Sequence, residues 1–543
     1  MSVNIAATLA ERAHLQGKEI GLVEAATGKS LTFAELNRRA DSFAHILSRK
    51  GIRAGERVML MVRPSADFIC MTFALFKIGA PVILIDPGMG YRNLLRCIEG
   101  VRPKGFIGIP KAHVFRLLFR RPFQSVEHRF CCGPSLGFFG PDISRQANQD
   151  AGPFSAYDAQ DDELAAIIFT TGSTGPPKGV RYEHGVFHAQ LRLIRDYYGI
   201  GPGQTDQPAF PLFALFSTAL GAKAVIPDMD PTRPAKVDPK RFIASMQKYG
   251  VTYSFGSPAI WNVIAGYGES RGLTLETLNK VLMAGAPVSG ELIYRMQNIL
   301  GPDAQIHTPY GATESLPIVS IEGREIVEQT WPLTKIGKGT CVGRPLPGIE
   351  IAILPISDQP VDHLDRTSFL KSGEIGEIIV RGDVVTRSYE NNPVENRLAK
   401  IQDAAGFWHR MGDVGYLDRE GRLWFCGRRA HRVVTEGKTF YTIPCEAVYN
   451  VHPQIYRTAL VAVAVPENEE NIPVIILEPE KDATISADQL IAEARRLGAE
   501  NLLTRDIRYY LIHPDFPVDI RHNAKIFREK LSIWASGELE GKL

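Results

Sequence analysis

The sequence lacks several features that would assign it to a class of protein at once. It has no CxxC pair, and its seven cysteines are scattered through 543 residues. An odd, unpatterned set of cysteines argues against a disulfide framework or a zinc site and favours reduced thiols in the cytoplasm. The net charge is only +2. This balance indicates neither a nucleic-acid-binding protein nor a protein with an acidic partner.

Long uninterrupted apolar runs are also missing. The most apolar window, residues 68–85, is broken by Lys77, Gly79 and Pro81. It therefore predicts a helix followed by a buried strand rather than a membrane span. The first sixteen residues contain Glu11 and Arg12 and no long apolar core, so we expect no signal peptide.

The chain instead shows alternating helical and strand-like segments. Its length exceeds what one hydrophobic core usually supports, which predicts two or more domains. A capping box of Thr32 and Glu35 opens a helix, and VMLMV, PVILID, VTYSFGS, KVLMAGAP and AQIHTPYG are typical of buried strands that run into turns. We expect an α/β core with a largely parallel sheet, whose ligands bind beyond the carboxyl ends of the strands.

One loop, FTTGSTGPPKGV at residues 169–180, combines glycines, prolines, hydroxyls and a lysine after a strand-like segment. Glycines let backbone N–H groups converge on an anion, and the hydroxyls and lysine add donors and charge, so the loop predicts a phosphate site. It is not a Walker A loop, because Pro177 replaces a required glycine and Gly179 replaces the Ser or Thr. The alternative, a surface linker, fits the strand entry and the convergent donors poorly.

The same loop resembles the signature of the adenylate-forming superfamily, which includes acyl-CoA synthetases, luciferases and peptide-synthetase adenylation domains. Further segments resemble motifs of that superfamily and follow in its order: MAGAP, YGATE, GEIGEI, WHRMGDVGYLDREG, FCGRR and NAKIFREKL. The resemblance covers nearly the whole chain. It implies a large N-terminal AMP-binding domain with sub-domains at residues 1–427 and a small, mobile α+β domain at residues 428–543, which carries the catalytic lysine.

The resemblance further implies that ATP and Mg²⁺ are bound. Lys525 would bridge the substrate carboxylate and the α-phosphate, and Glu314 would act through the magnesium that it binds. The other candidates would bind the nucleotide: Thr170, Thr171, Gly172, Ser173, Thr174, Gly175, Lys178, Gly285, Ala286, Pro287, Tyr310, Gly311, Thr313, Asp413 and Arg428. Such residues are needed because both reactants are anions and charge builds in the transition state. Taken singly, Asp413 could be a turn residue, Glu314 an exposed helix-start carboxylate and Lys525 a solvated cation.

Two departures from the superfamily pattern affect the fate of the adenylate. Many acyl-CoA synthetases carry a histidine at the position of Ala214, and their hinge motif has two acidic residues where this chain has Ala430 and His431. In the superfamily this hinge lets the small domain rotate and build a site for an external thiol. The departures therefore weaken a thioester-forming hypothesis.

A substrate with its own β-hydroxyl needs no external thiol, because the tethered oxygen can attack the activated carbonyl, expel AMP and close a β-lactone. The segments around the motifs resemble, more narrowly, the adenylate-forming enzymes that make β-lactones in bacterial olefin biosynthesis. This implies a long-chain 2-alkyl-3-hydroxyalkanoic acid as substrate and action beside a condensing enzyme, a reductase and a β-lactone decarboxylase. Two alternatives stay open: a fatty or aryl acyl-CoA ligase with a variant hinge, and a non-catalytic scaffold.

Two regions bear on the substrate and its surroundings. Phe213, Ala214 and Phe216 are candidates for a wide acyl pocket, with core packing as the alternative for each aromatic side chain. Residues 103–129 are basic and amphipathic, which suggests contact with a partner or with membrane headgroups, or else a solvated helix face.

Overall fold

The protein was analysed as a computed structural model that describes residues 3–135, 137, 139–170, 176–404, 406–465, 470–519 and 525–540. Within these ranges, no helix combines the length and the apolar character needed to cross a bilayer. The apolar window at 68–85 forms a helix and a strand, as predicted. Gly79 ends that helix in the left-handed region (φ 77°), with its α-carbon against the ring of Tyr157, where a side chain would not fit.

The first part of the chain builds a sheet in the order β6-β5-β3-β4-β7-β8, parallel except for the last pair. The predicted capping box forms, since Thr32 and Glu35 exchange hydrogen bonds at the start of α2. The elements in this part are α1 (Ala6–Leu15), β1 (Ile20–Glu24), β2 (Ser30–Thr32), α2 (Phe33–Arg49), β3 (Val58–Met61), α3 (Ala66–Ile78), β4 (Val82–Leu84), α4 (Tyr91–Val101), β5 (Gly105–Gly108), α5 (Pro110–Leu118), β6 (His128–Cys131), α6 (Ile143–Gln146), β7 (Leu164–Phe169), β8 (Gly179–Glu183) and α7 (His184–Tyr198).

A second sheet has the order β13-β12-β11-β9-β10-β1-β2 and is parallel except for its β1–β2 edge. Its strands carry the predicted segments VTYSFGS, KVLMAGAP and AQIHTPYG. The elements are β9 (Thr205–Asp206), α8 (Phe213–Ala219), β10 (Lys223–Ile226), α9 (Pro239–Tyr249), β11 (Tyr253–Gly256), α10 (Pro258–Arg271), β12 (Lys280–Met283), α11 (Gly290–Ile299) and β13 (Gln305–His307). Both sheets present strand ends and turns to one cleft, the arrangement expected of an α/β fold.

A third, antiparallel sheet follows in the order β14-β15-β16-β21-β20-β18-β17, with β19 paired to β20. Its elements are β14 (Tyr310–Ala312), β15 (Ser315–Ser320), α12 (Gly323–Glu325), α13 (Trp331–Lys335), β16 (Thr340–Pro345), β17 (Glu350–Leu354), β18 (Gly376–Arg381), α14 (Pro393–Ala399), β19 (Lys400–Asp403), β20 (Gly406–Leu417) and β21 (Leu423–Arg428). The motif segments YGATE and WHRMGDVGYLDREG thus lie in one sheet.

The C-terminal part has its own three-stranded sheet, β24-β25-β26, and two apolar clusters on its two faces. Its elements are β22 (Val433–Val434), β23 (Thr439–Phe440), α15 (Thr442–Asn450), β24 (Ile455–Val465), β25 (Glu470–Pro479), α16 (Ala487–Glu500), β26 (Tyr509–Ile512) and α17 (Arg528–Leu539). Ser486 caps α16, but the Gln489 side chain donates to Glu493, so only half of the capping box forms there. The exact division of the chain at residues 427 and 428 stays a prediction.

Candidate active site

The candidate site is a cleft of about 1830 Å³ whose lining runs from Leu60 to Arg528. Strand ends and turns of the first two sheets form one side of the cleft. The third sheet and the start of the C-terminal part supply the rest, including Asp413 and Lys525. The structure therefore brings together residues that are far apart in the sequence, at the edge where parallel sheets usually bind ligands.

Two of the phosphate-loop candidates, Thr170 and Lys178, line the cleft where β7 ends and β8 begins. The Thr170 amide donates to the Lys178 carbonyl at 3.0 Å, and the Lys178 amide donates to the Thr170 hydroxyl at 3.3 Å. These two bonds close the base of the loop. Thr171, Gly172, Ser173, Thr174 and Gly175 lie outside the described residues.

Lys178 faces an unexpected partner. Its Nζ donates to Glu395 Oε2 at 2.6 Å, and it also lies 5.4 Å from the centre of the Tyr389 ring. Glu395 belongs to α14, and no local pattern links it to the loop, which explains why sequence reasoning missed it. The Lys178 ammonium is thus held by a charge-assisted hydrogen bond to a carboxylate of α14.

The turn at residues 283–287 and strand β14 form another part of the lining. Gly285, Ala286 and Pro287 all line the cleft, and Gly285 has φ 96°, which favours glycine. Tyr310, Gly311 and Thr313 line it as well. A side chain at Gly311 would place its first carbon 2.5 Å from the Ser315 carbonyl oxygen, so the β14–β15 pairing requires glycine there.

Asp413 is a buried carboxylate of the cleft with two side-chain partners. The Tyr310 hydroxyl donates to its Oδ2 at 2.5 Å, and Nη1 of Arg428 lies 3.0 Å from its Oδ1. Burial raises the pKa of Asp413, while Arg428 and the Tyr310 hydrogen bond lower it. Asp413 and Arg428 are directly opposite each other on β20 and β21, so the strand register itself creates this pair.

Glu314 is oriented by groups that follow β18. The Tyr389 hydroxyl donates to Glu314 Oε1 at 2.7 Å, and the backbone and hydroxyl of Thr386 donate to the Glu314 carbonyl. Lys400 is buried nearby and donates to the Thr386 carbonyl. Burial lowers the pKa of Lys400 to about 7, and the charges of Glu314 and Glu183 oppose that change.

The described residues contain no cluster of three or more His, Cys, Asp or Glu side chains that would hold a metal by themselves. Mg²⁺ bound with a nucleotide takes one or two protein carboxylates together with phosphate oxygens. Glu314 is a carboxylate in the same cleft as Lys178, so the residues present suit that arrangement.

Lys525 reaches the cleft from the C-terminal part. It is half-buried, its carbonyl accepts from the Asp519 amide at 2.9 Å, and the neighbouring Ile526 pairs with Val518. Its positive charge lowers the pKa of Asp413. The predicted catalytic lysine and the predicted ribose-binding aspartate therefore line the same cleft.

The apolar end of the cleft is lined by aromatic side chains. Phe213 stacks on Phe255 with ring centres 3.8 Å apart, and Phe216 also lines the cavity. Ala214, in contrast, is fully buried in the core and is not part of the lining. The reason is helical periodicity: Phe213, Phe216 and Ser217 share one face of α8, and Ala214 lies on another.

A buried carboxyl at this apolar end was missed by sequence reasoning. Asp206 is 1% exposed, lines the cleft, and accepts a hydrogen bond from Ser217 at 2.5 Å, while its Oδ1 has no hydrogen-bond partner among the described residues. Burial raises the pKa of Asp206 to about 8, although the Ser217 hydroxyl opposes this change. The signal in the sequence is an acidic residue at the start of DQPAFPLF, which is apolar after Gln207.

The histidines near the motifs have distinct environments. Burial lowers the pKa of His184 to about 4 and holds that of His409 well below its usual value. His431 binds Glu529 on α17 at 3.1 Å, and Arg429 lies 3.4 Å from Glu377. The variant hinge segment is therefore held on both sides, by the C-terminal part and by the third sheet.

Both the sequence and the fold of this chain are similar to those of known proteins. The AMP-binding enzyme family model matches residues 9–390. The chain belongs to the AMP-binding enzyme family. An olefin β-lactone synthetase of Xanthomonas campestris pv. campestris is 44% identical over 523 residues, which is 94% of this chain and 92% of the relative.

An olefin β-lactone synthetase of Stenotrophomonas maltophilia is 43% identical over 558 residues and 99% of both chains. An amide bond synthetase from Marinactinospora thermotolerans has a similar structure, with a TM-score of 0.81 at 22% identity, covering 98% of this chain and 99% of the other. ATP-bound MatB from Rhodopseudomonas palustris also has a similar structure, with a TM-score of 0.80 at 20% identity, covering 99% of both chains. The predicted adenylate-forming α/β fold is therefore confirmed.

Proposed function

We propose that the protein is an AMP-forming ligase that activates a long-chain 2-alkyl-3-hydroxyalkanoic acid with ATP. The acid displaces pyrophosphate to give an acyl-adenylate. The β-hydroxyl of the same molecule then attacks the acyl carbonyl, a C–O bond forms, AMP leaves, and a β-lactone results. The likeness over the whole chain to two olefin β-lactone synthetases supports this reaction over other activities of the family.

The observation that carries the proposal is that one continuous cleft combines two kinds of lining. Lys178, Asp413 and Lys525 are charged residues of this lining, and Phe213, Phe216 and Phe255 give it an apolar wall. A substrate with a carboxylate and two alkyl chains has the same division. Binding in such a cleft places its head beside the nucleotide and leaves its chains in the apolar part.

Each charged residue has a proposed role. The Lys525 ammonium would lie between the substrate carboxylate and the α-phosphate and neutralise charge as the new P–O bond forms. Lys178, released from Glu395, would bind the departing pyrophosphate together with the loop at residues 170–175. Asp413 would accept hydrogen bonds from the ribose hydroxyls, with Arg428 and Tyr310 holding its carboxylate in place.

Glu314 would hold Mg²⁺, which supplies neutralisation of the phosphate charges when bound. Tyr389 would fix the rotamer of Glu314. We further propose that the acid comes from a condensing enzyme and a reductase and that a decarboxylase consumes the lactone. A four-membered ring is strained, so a consuming enzyme is expected for such a product.

The test uses the purified protein with ATP, Mg²⁺ and a 2-alkyl-3-hydroxy acid, with and without coenzyme A. We expect β-lactone, AMP and pyrophosphate in both reactions. A matched 2-alkyl acid without the 3-hydroxyl should release pyrophosphate but give no lactone. Formation of a thioester only, with strict dependence on coenzyme A, would instead establish an acyl-CoA ligase. Absence of pyrophosphate release with every acid would indicate a non-catalytic scaffold.

A further inference from the structure

Five large apolar side chains project from α4 and α5 at the surface of the first sheet. Leu118 is 72% exposed and Tyr91 55%, and Val114, Leu117 and Phe119 are exposed as well. The rings of Tyr91 and Phe119 lie 6.3 Å apart in a stacked arrangement, so the two helices form one continuous patch. These five residues are called the apolar patch below. A group of this size on one face calls for an explanation, since scattered exposed apolar residues do not.

The segment that carries the apolar patch is strongly basic, and Arg92 lies over the ring of Tyr91 in the patch. Residues 91–121 contain eight Lys and Arg and one acidic residue, Glu99, a net of +7 in a chain whose total is +2. Glu99 pairs with Arg121 at 3.1 Å, and the preceding residue in the chain, Arg120, is exposed. The rest of the chain is consequently acidic overall. Positive charge is thus concentrated in the segment of the chain that carries the apolar patch.

The same helices form one wall of the cleft. Tyr91 is both exposed and part of the lining, as is Lys111, and Phe115 lines the cleft one helical turn beyond Lys111. Phe115 also contacts Phe119 of the apolar patch, with ring centres 4.8 Å apart. A continuous run of aromatic side chains therefore connects the patch with the interior of the cavity.

We propose that the apolar patch and its basic rim dock on an anionic phospholipid surface, with the mouth of the cleft facing the bilayer. Arginine and lysine beside projecting leucine and aromatic side chains suit the boundary between headgroups and acyl chains. A protein partner would need opposite charge in a shape that fits this patch, whereas an anionic bilayer meets the charge requirement over its whole surface.

The docking explains how an insoluble substrate reaches the site. Alkyl chains partition strongly into bilayers, so an acid with two long chains is concentrated there rather than in water. Entry beside Tyr91 and Phe115 would keep its chains in contact with apolar groups throughout. This route rests on the proposed function, whereas the docking itself does not.

Sedimentation of the full-length protein with vesicles tests the docking. We expect binding to phosphatidylglycerol–phosphatidylcholine vesicles, weak binding to phosphatidylcholine alone, and loss of binding at high salt. Leu118→Asp and Arg120→Glu together should reduce the bound fraction at least tenfold. Leu502→Asp with Lys481→Glu is the matched control, because both residues are exposed on the C-terminal part and Leu502 is as exposed as Leu118, at 71%.

A second measurement separates this proposal from the proposed function. The Leu118→Asp/Arg120→Glu variant should process a short, water-soluble 3-hydroxy acid at the wild-type rate and a vesicle-bound long-chain acid more slowly. Vesicle binding without lactone formation from any acid would keep the docking and overturn the function. Equal sedimentation of wild type and variant, or a change in oligomeric state without lipid binding, would overturn the docking.

Discussion

The hydroxyl of Tyr310 lies 2.5 Å from Oδ2 of Asp413, although 103 residues separate the two in the chain. Strand β14 brings the tyrosine to one side of the cleft and strand β20 brings the aspartate. Arg428 holds the other carboxylate oxygen. A carboxyl group acts as an acceptor at both oxygens only while it is ionised. Burial raises the pKa of Asp413, and these two partners oppose that effect.

Replacing Tyr310 by phenylalanine tests this relationship. The variant keeps the ring but removes the hydrogen bond that lowers the pKa of Asp413, so the carboxylate will be protonated at higher pH than in the wild type. We expect KM for ATP to rise about tenfold, as for loss of one hydrogen bond to a charged group. The acid limb of kcat/KM should move to higher pH. Tyr416→Phe is the control, because the Tyr416 hydroxyl donates to the Lys338 carbonyl and not to Asp413. An unchanged acid limb in Tyr310→Phe would contradict the prediction.

Tyr389→Phe should lower the apparent affinity of the enzyme for Mg²⁺. The Glu314 carboxylate loses the donor at 2.7 Å that fixes its orientation, so the Mg²⁺ concentration for half-maximal activity should rise by up to about tenfold. Tyr157→Phe is a matched control, because its hydroxyl donates to Glu163 at 2.8 Å away from the cleft. An effect of equal size in both variants would point to lost stability instead.

Lys525→Ala should strongly slow adenylate formation. Removal of one preorganised charge from a transition state typically costs about 10²–10³ in rate, measured here as pyrophosphate release. Lys530→Ala serves as control, since Lys530 is exposed on α17 and packs over the Phe527 ring. If pyrophosphate release were unchanged in Lys525→Ala, another residue would have to supply the charge.

His431→Asp should impair the contact between the hinge segment and α17. Two carboxylates would face each other where the imidazole now lies 3.1 Å from Glu529, a repulsion on the order of 1 kcal/mol that weakens with salt. We expect a several-fold lower rate at low ionic strength and recovery in the His431→Asp/Glu529→Lys double variant. His431→Asn should behave like the wild type, and failure of the double variant to recover would contradict a charge effect.

Asp206→Asn should change how stability depends on pH. In the unfolded chain the carboxyl ionises near pH 4, whereas in the fold its pKa is about 8. Ionisation of the unfolded state therefore lowers the wild-type free energy of unfolding progressively between these pH values, and the asparagine variant lacks that loss. As the pH rises from 4 to 8, the free energy of unfolding of the variant should increase relative to that of the wild type by on the order of 3–5 kcal/mol. Denaturant titrations give the free energy of unfolding at each pH. If it changed with pH in the same way for wild type and variant, the Asp206 carboxyl would not be buried as described.

The fold was predictable where the signals are local. The capping box at Thr32, the break after residue 78 and the strand ahead of the glycine-rich loop all depend on neighbours in sequence, and all were confirmed. Contacts that depend on tertiary pairing were not predictable. Nothing near Lys178 indicates Glu395, since the two meet only through the placement of α14.

The candidate site shows the same division. The motifs identify Tyr310, Asp413, Glu314 and Lys525. They do not show that Tyr310 orients Asp413 or that Tyr389 orients Glu314, because those contacts arise from strand register and loop placement. Ala214 was chosen as a pocket residue from its position in a motif. In the structure, the orientation of α8 directs Phe213 and Phe216 toward the cleft and buries Ala214 in the core.

The seven cysteines have a practical consequence. Six are buried and Cys132 is partly covered, and burial raises the pKa of every thiol to about 11 or about 12. Few thiolates are present at neutral pH, so these thiols react slowly with alkylating reagents. A single cysteine introduced at an exposed position, such as Ile533 on α17, would therefore accept a fluorescent label selectively in the native sequence background. Its emission would follow the C-terminal part through each turnover without removal of any natural cysteine.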